Sequence, residues 1–426
     1  MSEIFTELRR NWARPEALRA TVRLRRSEGP PPRSSDPSPL HMLRSRSLLA
    51  AVAALLAVVA ITQASALARP AKHARAHAAS NVAIGISDNQ LSTFSDPRFQ
   101  WLGMKVARLV VPWNIVVKHR AELSWQNAWL EAARAHHVKP LVVFDKDPRH
   151  PSSLPSLAAY GKGVSAFMKL YPWVRDYSPW NEENHYLEPT SRDPQRAAQY
   201  FNLMTLLCRK CNVTAADVLD IPNMAEWTRN FLHFAHHPKI WGLHNYADLS
   251  AGSHERTSLF LSIVPGLVWF TETGGVVWRY EHPNSGRRGY FVVHSESFAA
   301  EVAGHLLGLA HISSRVTRIY YYQWRVPHSL SWARATHGRL SWDSGLLRPD
   351  CGLRPGFGVI ARAMGKNPSR APRYKKDRTG NCISTVPPKP VVAPAPETGT
   401  PTTPGTTTGP TTTTTPTTTQ GGAAAP

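Results

Sequence analysis

Short apolar segments rich in β-branched residues alternate with amphipathic segments along the chain from residue 81. The apolar segments predict eight strands, at 81–87, 106–113, 139–145, 174–182, 216–221, 240–248, 266–275 and 316–324. Helical patterns lie between them, the clearest at 123–136, 154–170, 193–210 and 295–312. Apolar strands separated by helices are typical of parallel strands that are buried on both faces.

The number and spacing of these segments indicate the fold class. Eight strand–helix units within about 285 residues predict an α/β protein with a (β/α)8 TIM barrel as its single catalytic domain. An open doubly wound sheet is the alternative. It normally has fewer strands, and no glycine-rich phosphate motif follows the first strand here. We place the barrel at residues 81–385.

The segments outside the barrel have different compositions. A 14-residue apolar run, 48–61, follows Arg44 and Arg46 and precedes small residues, which predicts a signal peptide at 42–68. The run is short for a membrane span, and an uncleaved anchor is the alternative. Residues 1–41 read as a non-native or disordered extension and 69–80 as a linker. The Pro/Thr-rich segment 386–426 cannot form a core and is expected to be a disordered tail. We therefore expect a secreted, extracellular protein.

Charge and cysteine content narrow the partners and the compartment. The chain holds 50 Lys and Arg against 29 Asp and Glu, a formal net charge of +21. This excess favours association with the cell wall or another anionic surface. No nucleic-acid-binding motif is present, and we expect a monomer. The four cysteines fit an oxidising compartment, where the simplest of three connectivities pairs Cys208 with Cys211 and Cys351 with Cys382.

Polar residues that end the predicted strands are the candidates for chemistry, because barrel active sites lie at the carboxyl ends of the strands. Glu182 ends the fourth strand and Glu272 ends the seventh. Glycoside hydrolysis requires two such carboxyl groups, one as proton donor and one as nucleophile or base. Three tryptophans near strand ends are candidates for stacking on a sugar: Trp113, Trp180 and Trp324. Three aspartates are weaker rim candidates: Asp145, Asp220 and Asp248.

The motifs "PWNEEN", "LHNYAD" and "WFTETGG" resemble, in order and spacing, the clan of retaining (β/α)8 glycoside hydrolases that includes cellulases, β-xylosidases and β-galactosidases. The resemblance covers residues 81–366 and implies a carbohydrate substrate. It implies Glu182 as acid/base, Glu272 as nucleophile and Asn181 as a ligand of the sugar 2-hydroxyl. It further implies substrate-site roles for the following residues: Arg108 and Tyr246 beside the nucleophile, His244 on strand six, and Trp324 as an aromatic platform.

One residue departs from the pattern of that clan, which has proline after the acid/base. Here Glu183 follows Glu182, and strand alternation favours Glu182 as the residue that faces the site. No histidine or cysteine spacing indicates a metal site, so no metal or cofactor is expected. The sequence thus predicts an exported retaining glycoside hydrolase. The alternatives are a transglycosidase, or a carbohydrate-binding or wall-associated barrel that has lost activity.

Overall fold

Eight parallel strands close into a barrel in the computed structural model, which describes residues 82–119, 121–281, 289–336, 341–378 and 382–384. The order around the barrel is β1-β10-β7-β6-β5-β4-β3-β2. Its strands are β1 (Ala83–Ser87), β2 (Val106–Pro112), β3 (Lys139–Asp145), β4 (Asp176–Ser178), β5 (Asn212–Leu219), β6 (Ile240–His244), β7 (Leu267–Thr273) and β10 (Val316–Tyr321). The predicted TIM barrel is confirmed.

Helices cover the outside of the barrel. They are α1 (Ser92–Ser95), α2 (Pro97–Leu102), α3 (Ile115–Lys118), α4 (Leu123–Ala135), α5 (Leu157–Leu170), α6 (Pro194–Leu207), α7 (Met224–Leu232), α8 (Tyr246–Ala251), α9 (Glu255–Ile263), α10 (Glu296–Leu309), α11 (Leu330–Ala335) and α12 (Pro355–Ala363), with 3-10 turns at Pro189–Arg192 and Pro368–Arg370. Several begin at capping side chains. Asp193, which precedes Pro194 at the start of α6, accepts a hydrogen bond from the Arg196 amide. Ser156 and Ser295 cap α5 and α10 in the same way.

Strand β5 begins four residues before the predicted segment 216–221. Seven of its eight residues are buried, including Thr214 and Asp217. These two polar residues interrupt the apolar pattern, which is why the sequence reading placed the strand too late. A register shift relative to β6 occurs between the same two residues.

A second sheet, which the strand pattern of the sequence did not predict, follows β7. It consists of β8 (Trp278–Glu281), β9 (Tyr290–Val293) and β11 (Trp342–Asp343), paired antiparallel in the order β11-β8-β9. A two-stranded hairpin, β12 (Tyr374–Lys376) and β13 (Cys382–Ser384), lies near the end of the described chain. The additional sheet adds a wall beyond the end of β7, next to the predicted nucleophile.

The predicted disulfides are confirmed: Cys208 is bonded to Cys211, and Cys351 to Cys382. Within the described ranges, no helix has both the length and the apolar character needed to cross a membrane. The predictions for the extension, the signal peptide, the linker 69–80 and the Pro/Thr-rich tail fall on residues outside the described ranges.

Candidate active site

Residues from four strand ends converge on one buried cluster at the carboxyl end of the barrel. Arg108 projects from β2, Glu182 follows β4, His244 ends β6, and Glu272 lies in β7. Single ligand atoms of Glu182, His244 and Glu272 lie within 4.8 Å of one another. The structure therefore brings the two predicted catalytic carboxylates to the same place.

Both carboxylate oxygens of Glu272 have a donor. The Arg108 guanidinium donates through Nη1 to Oε2 at 2.6 Å, and the Tyr246 hydroxyl donates to Oε1 at 3.2 Å. The other guanidinium nitrogen of Arg108 donates to Asn181 Oδ1 at 2.6 Å. These contacts fix the orientation of the Glu272 carboxylate, because each of its oxygens accepts a hydrogen bond.

Glu182 stands in a strained backbone conformation and a buried environment. Its φ is +49°, a value that side-chain-bearing residues seldom adopt. Its Oε1 is 3.0 Å from Nδ1 of His244, and its buried Oε2 has no hydrogen-bond partner in the protein. Burial raises the pKa of Glu182, and the His244 hydrogen bond offsets part of that rise. A carboxyl group with a raised pKa and one unpartnered oxygen is suited to donating a proton.

A buried aspartate balances the charges of the cluster. Asp217 on β5 lies 2.9 Å from the Arg108 guanidinium and 3.4 Å from His244 Nε2, and it accepts the Thr271 hydroxyl. Burial opposes the charge of Asp217, but His244 and Arg108 hold its pKa below the usual range. Burial likewise would lower the pKa of His244, yet Asp217 and Glu182 raise it to about 9. His244 is thus a cation at neutral pH.

The second glutamate of the motif faces away from the cluster. Glu183 Oε2 accepts the Asp217 backbone amide at 2.6 Å, and Glu183 donates its own amide to the Asp217 carbonyl. Burial and the Asp217 charge raise the pKa of Glu183 well above its usual value. Glu183 therefore connects the loop after β4 to β5. This geometry agrees with the alternation argument, which favoured Glu182 as the residue that faces the site.

The three weaker aspartate candidates contact backbone amides. Asp220 accepts the amides of Ala247 and Asp248, and Asp248 accepts those of Arg256 and Thr257, so the two organise α8 and α9. Asp145 accepts the amide of the following residue, Lys146. Each of these carboxylates therefore stabilises the local backbone by accepting hydrogen bonds from amides.

The three predicted sugar-stacking tryptophans are not brought to the carboxylate pair. Trp113 packs on α5, where a side chain at Gly163 would collide with its ring. Trp180 stacks on Tyr200 and donates to Glu188 at 3.0 Å. Trp324 packs between α2 and α12 and donates to Asp96. All three rings are buried, so they have no free face for a sugar.

Sequence reasoning missed three residues near the cluster. Asp217 lies inside an apolar strand pattern and ends no strand. Trp342 packs edge-on against Tyr246, with ring centroids 5.6 Å apart. Tyr322, half-buried in the same apolar cluster, lies close enough to Glu272 for that charge to raise its pKa, after the larger effect of burial. Tyr322 belongs to the aromatic run "YYYQW", the signal that could have indicated it in the sequence.

The cluster of Glu182, His244 and Glu272 also has the donor spacing of a metal site. Its charges do not suit a divalent cation, because the Arg108 guanidinium already binds Glu272 at 2.6 Å and His244 is protonated at neutral pH. A metal ligand must be a neutral imidazole. The residues present therefore fit an organic substrate better than a metal ion.

Comparison with known proteins gives distant structural matches. No family model and no curated protein matches the sequence. Solved structures that the chain resembles include xylanase 10B from Thermotoga maritima, with 12% identity and a TM-score of 0.47 over 67% of this chain and 95% of that one. Xylanase 10B from Thermotoga petrophila RKU-1 in complex with xylobiose has 12% identity and a TM-score of 0.48, over 69% of this chain and 98% of that one. A family 39 glycoside hydrolase from Bacteroides cellulosilyticus WH2 has 14% identity and a TM-score of 0.43, over 69% of this chain and 65% of that one. The strand order described above, rather than these likenesses, defines the fold.

Proposed function

We propose that this protein is a glycoside hydrolase that cleaves O-glycosidic bonds of an oligosaccharide or polysaccharide with retention of configuration. The observation that carries the proposal is the pair Glu182 and Glu272, which have carboxylate oxygens within 4.8 Å of each other at the barrel mouth. Retaining enzymes hold their carboxyl groups about 5–5.5 Å apart, whereas inverting enzymes leave about 6.5–9.5 Å for a water molecule.

In the first step, a Glu272 oxygen attacks the anomeric carbon while the bond to the leaving oxygen breaks. Glu182 transfers its proton to that oxygen, so the leaving group departs as a neutral alcohol. The product is a glycosyl ester on Glu272 and an ionised Glu182. Arg108 and Tyr246 hold Glu272 in position for the attack, one donor on each oxygen.

In the second step, ionised Glu182 removes a proton from water, and the water oxygen bonds to the anomeric carbon. The ester bond to Glu272 breaks, and the carboxylate returns to its two donors. Protonated His244, 3.0 Å from Glu182, stabilises the anion that exists between the steps. The proton taken from water returns Glu182 to its acid form, which burial favours by raising the pKa of this group.

Asn181 occupies the position next to the acid/base and accepts from Arg108 through Oδ1. This bond leaves the side-chain NH2 of Asn181 to donate to a sugar hydroxyl. We propose the 2-hydroxyl, because contacts to that group strengthen in the transition state. An acceptor alcohol in place of water would make the same site a transglycosidase.

Azide rescue tests this assignment on an aryl glycoside that the protein is found to hydrolyse. Glu182→Ala should lose roughly 10²–10⁴-fold in rate on poor leaving groups and, with azide, release a glycosyl azide of retained configuration. Glu272→Ala should be inactive and, with azide, release the inverted product. Glu183→Gln is the matched control, since a neutral amide resembles its protonated carboxyl, and it should keep near-normal turnover.

An inactive wild-type protein that still binds the glycan would favour the alternative of a binding barrel that has lost activity. Glycan binding by Glu272→Ala, with no turnover by the variant or by the wild type, would favour the same alternative. We further propose that the protein acts outside the cell, on the basis of the apolar run 48–61 and the oxidised cysteine pairs. Sequencing of the exported chain from its N-terminus tests that placement.

A further inference from the structure

The amino-terminal end of the barrel, opposite the candidate active site, has an unusual charge distribution. The loops that lead from a helix into the next barrel strand are 103–105, 136–138, 171–175, 208–211, 233–239, 264–266 and 310–315. None of these described loops contains an aspartate or glutamate, whereas they contain six histidines. With the first residue of β3, they supply seven cations: Lys105, Lys139, Arg175, Arg209, Lys210, Lys239 and Arg315. We call this surface the basal face.

Six of the seven cations are free to meet a partner. Arg315 is the exception, because its guanidinium binds the backbone carbonyls of residues 261, 264 and 266. The other six side chains are exposed. Among the described residues, none of the six forms an ion pair with a carboxylate within 4 Å. Parallel strands all begin at the same end of a barrel, so these charges share one face.

Large apolar side chains lie exposed among these charges. They are at the last turns of α5 and α6, in the loops before β6 and β10, and at the first residue of β7: Leu170, Leu206, Leu207, Phe234, Ile312 and Leu267. Each is at least 40% exposed. Exposed apolar groups set among lysine and arginine are typical of surfaces that lie in the interface of a membrane.

Acidic side chains are frequent in the loops at the opposite end. The loops after β3, β4 and β6 and the strand β7 hold Asp147, Glu182, Glu183, Glu188, Asp248 and Glu272, and the same loops also hold cations such as Arg149 and Arg192. The helix-to-strand loops of the basal face therefore carry an unbalanced positive charge, whereas the loops at the barrel mouth carry both signs. An anionic surface would attract the basal face and leave the barrel mouth pointing away from it.

The course of the chain agrees with that orientation. Strand β1 begins at Ala83, so the polypeptide enters the barrel at the basal face. The apolar run 48–61 precedes this point by 21 residues. If extended at about 3.3–3.6 Å per residue, that segment reaches roughly 70 Å at most. In sequence order, the apolar run therefore precedes the strand that begins at the basal face.

We propose that the basal face binds the surface of an anionic phospholipid membrane. The six exposed cations supply attraction to the lipid phosphates, and the exposed leucine, isoleucine and phenylalanine side chains enter the headgroup layer. The candidate active site then faces away from the bilayer, toward glycans in the adjacent space. The binding proposal does not depend on the proposed glycosidase activity.

Vesicle co-sedimentation tests the proposal with the full chain carrying Leu55→Asn and Val58→Asn, which remove the membrane affinity of the apolar run itself. The vesicles contain either phosphatidylcholine alone or equal parts of phosphatidylcholine and phosphatidylglycerol. The basal variant carries Lys139→Glu, Lys210→Glu and Lys239→Glu. The matched control changes the same charge on exposed residues at the other end of the barrel: Lys118→Glu, Arg149→Glu and Arg192→Glu.

The parent and the control should bind the anionic vesicles and not the neutral ones. The basal variant should bind at least roughly 100-fold more weakly, since each of the three cations near an anionic surface contributes a roughly fivefold part of the affinity. Phe234→Ser with Ile312→Ser should weaken vesicle binding but leave retention on immobilised polyphosphate unchanged.

Three results would overturn the proposal. The first is equal binding by the parent and the basal variant. The second is an equal loss in the basal and control variants, which would reduce the effect to net charge. The third is retention on polyphosphate without vesicle binding, which would assign the face to a soluble or wall-borne anionic polymer instead. Circular dichroism checks that the variants, all at exposed positions, remain folded.

Discussion

Replacing Asp217 with asparagine tests whether the buried charge network supports the site. Asp217 lies 2.9 Å from the Arg108 guanidinium and 3.4 Å from His244, and all three side chains are fully buried. The substitution keeps the shape and removes one negative charge. Two cations then share the single charge of Glu272, so one buried cation has no counter-ion while His244 stays protonated.

The expected cost follows from this geometry. Removing one partner of a buried ion pair costs about 3–5 kcal/mol. Loss of the His244 proton limits the cost to the lower part of that range, because Asp217 is the leading charge that raises the His244 pKa. At about 2 °C per kcal/mol for a large domain, the melting temperature should fall by roughly 6–8 °C. Thermal unfolding followed by circular dichroism measures it.

The pH dependence identifies the cause. The pKa of Asp217 lies below its usual range in the folded state, so its stabilisation is present above the unfolded value of about 3.9 and is lost as pH falls. The difference between wild type and Asp217→Asn should therefore shrink toward acid pH. The matched control is Asp220→Asn, a buried aspartate next to β5 whose pKa burial raises to about 7, and it should cost only about 1–2 kcal/mol. Two results would refute the reasoning. One is a melting temperature for Asp217→Asn within about 2 °C of wild type, and the other is a fall in melting temperature no larger than that of Asp220→Asn.

Three further predictions address the site and the scaffold. Because the folded-state pKa of Asp220 is raised to about 7, its contribution to stability is lost as pH rises from about 4 through about 7, and Asp220→Asn should flatten that part of the melting-temperature profile. Tyr246→Phe removes the hydroxyl donor to Glu272, so kcat/KM should fall by roughly 10–100-fold in steady-state assays while the melting temperature changes little. Serine replacement of the Cys351–Cys382 pair, which closes a loop with a separation of 31 residues, should cost about 3–4 kcal/mol in urea unfolding. Serine replacement of the Cys208–Cys211 pair, with a separation of 3, should lower the free energy of unfolding by less than about half that amount. Equal losses for the two pairs would contradict the loop argument.

The sequence allowed the barrel and most of the candidate site to be predicted, because strand periodicity and parallel strand ends are local signals. Arg108, Glu182 and Glu272 lie more than 70 residues apart in sequence, yet placing each at or near a strand end was enough to bring them together. The contacts of Glu272 with Arg108 and Tyr246 are those that the family resemblance implied. The roles of these residues in catalysis remain predictions.

The remaining features depend on tertiary packing. The inward direction of Asp217 follows from the closure of the barrel, and in sequence it only weakens an apolar strand pattern. The family resemblance implied Trp324 as the platform, at the end of the predicted eighth strand, but β10 ends at Tyr321 and the alternation of side chains ends with it. β8 and β9 are neighbours in sequence, but β11 pairs with β8 from far along the chain, with Trp342 opposite Arg279, so no local pattern indicated the three-stranded sheet.

Covalent trapping of the nucleophile is the most direct test of the proposed mechanism. The protein is incubated with an activated 2-deoxy-2-fluoro glycoside of a sugar that it hydrolyses, then digested and analysed by mass spectrometry. The account predicts one sugar attached to the peptide that contains Glu272, with no label in Glu272→Ala. Attachment to a peptide without Glu272, or turnover that inverts the anomeric configuration without any covalent adduct, would contradict it.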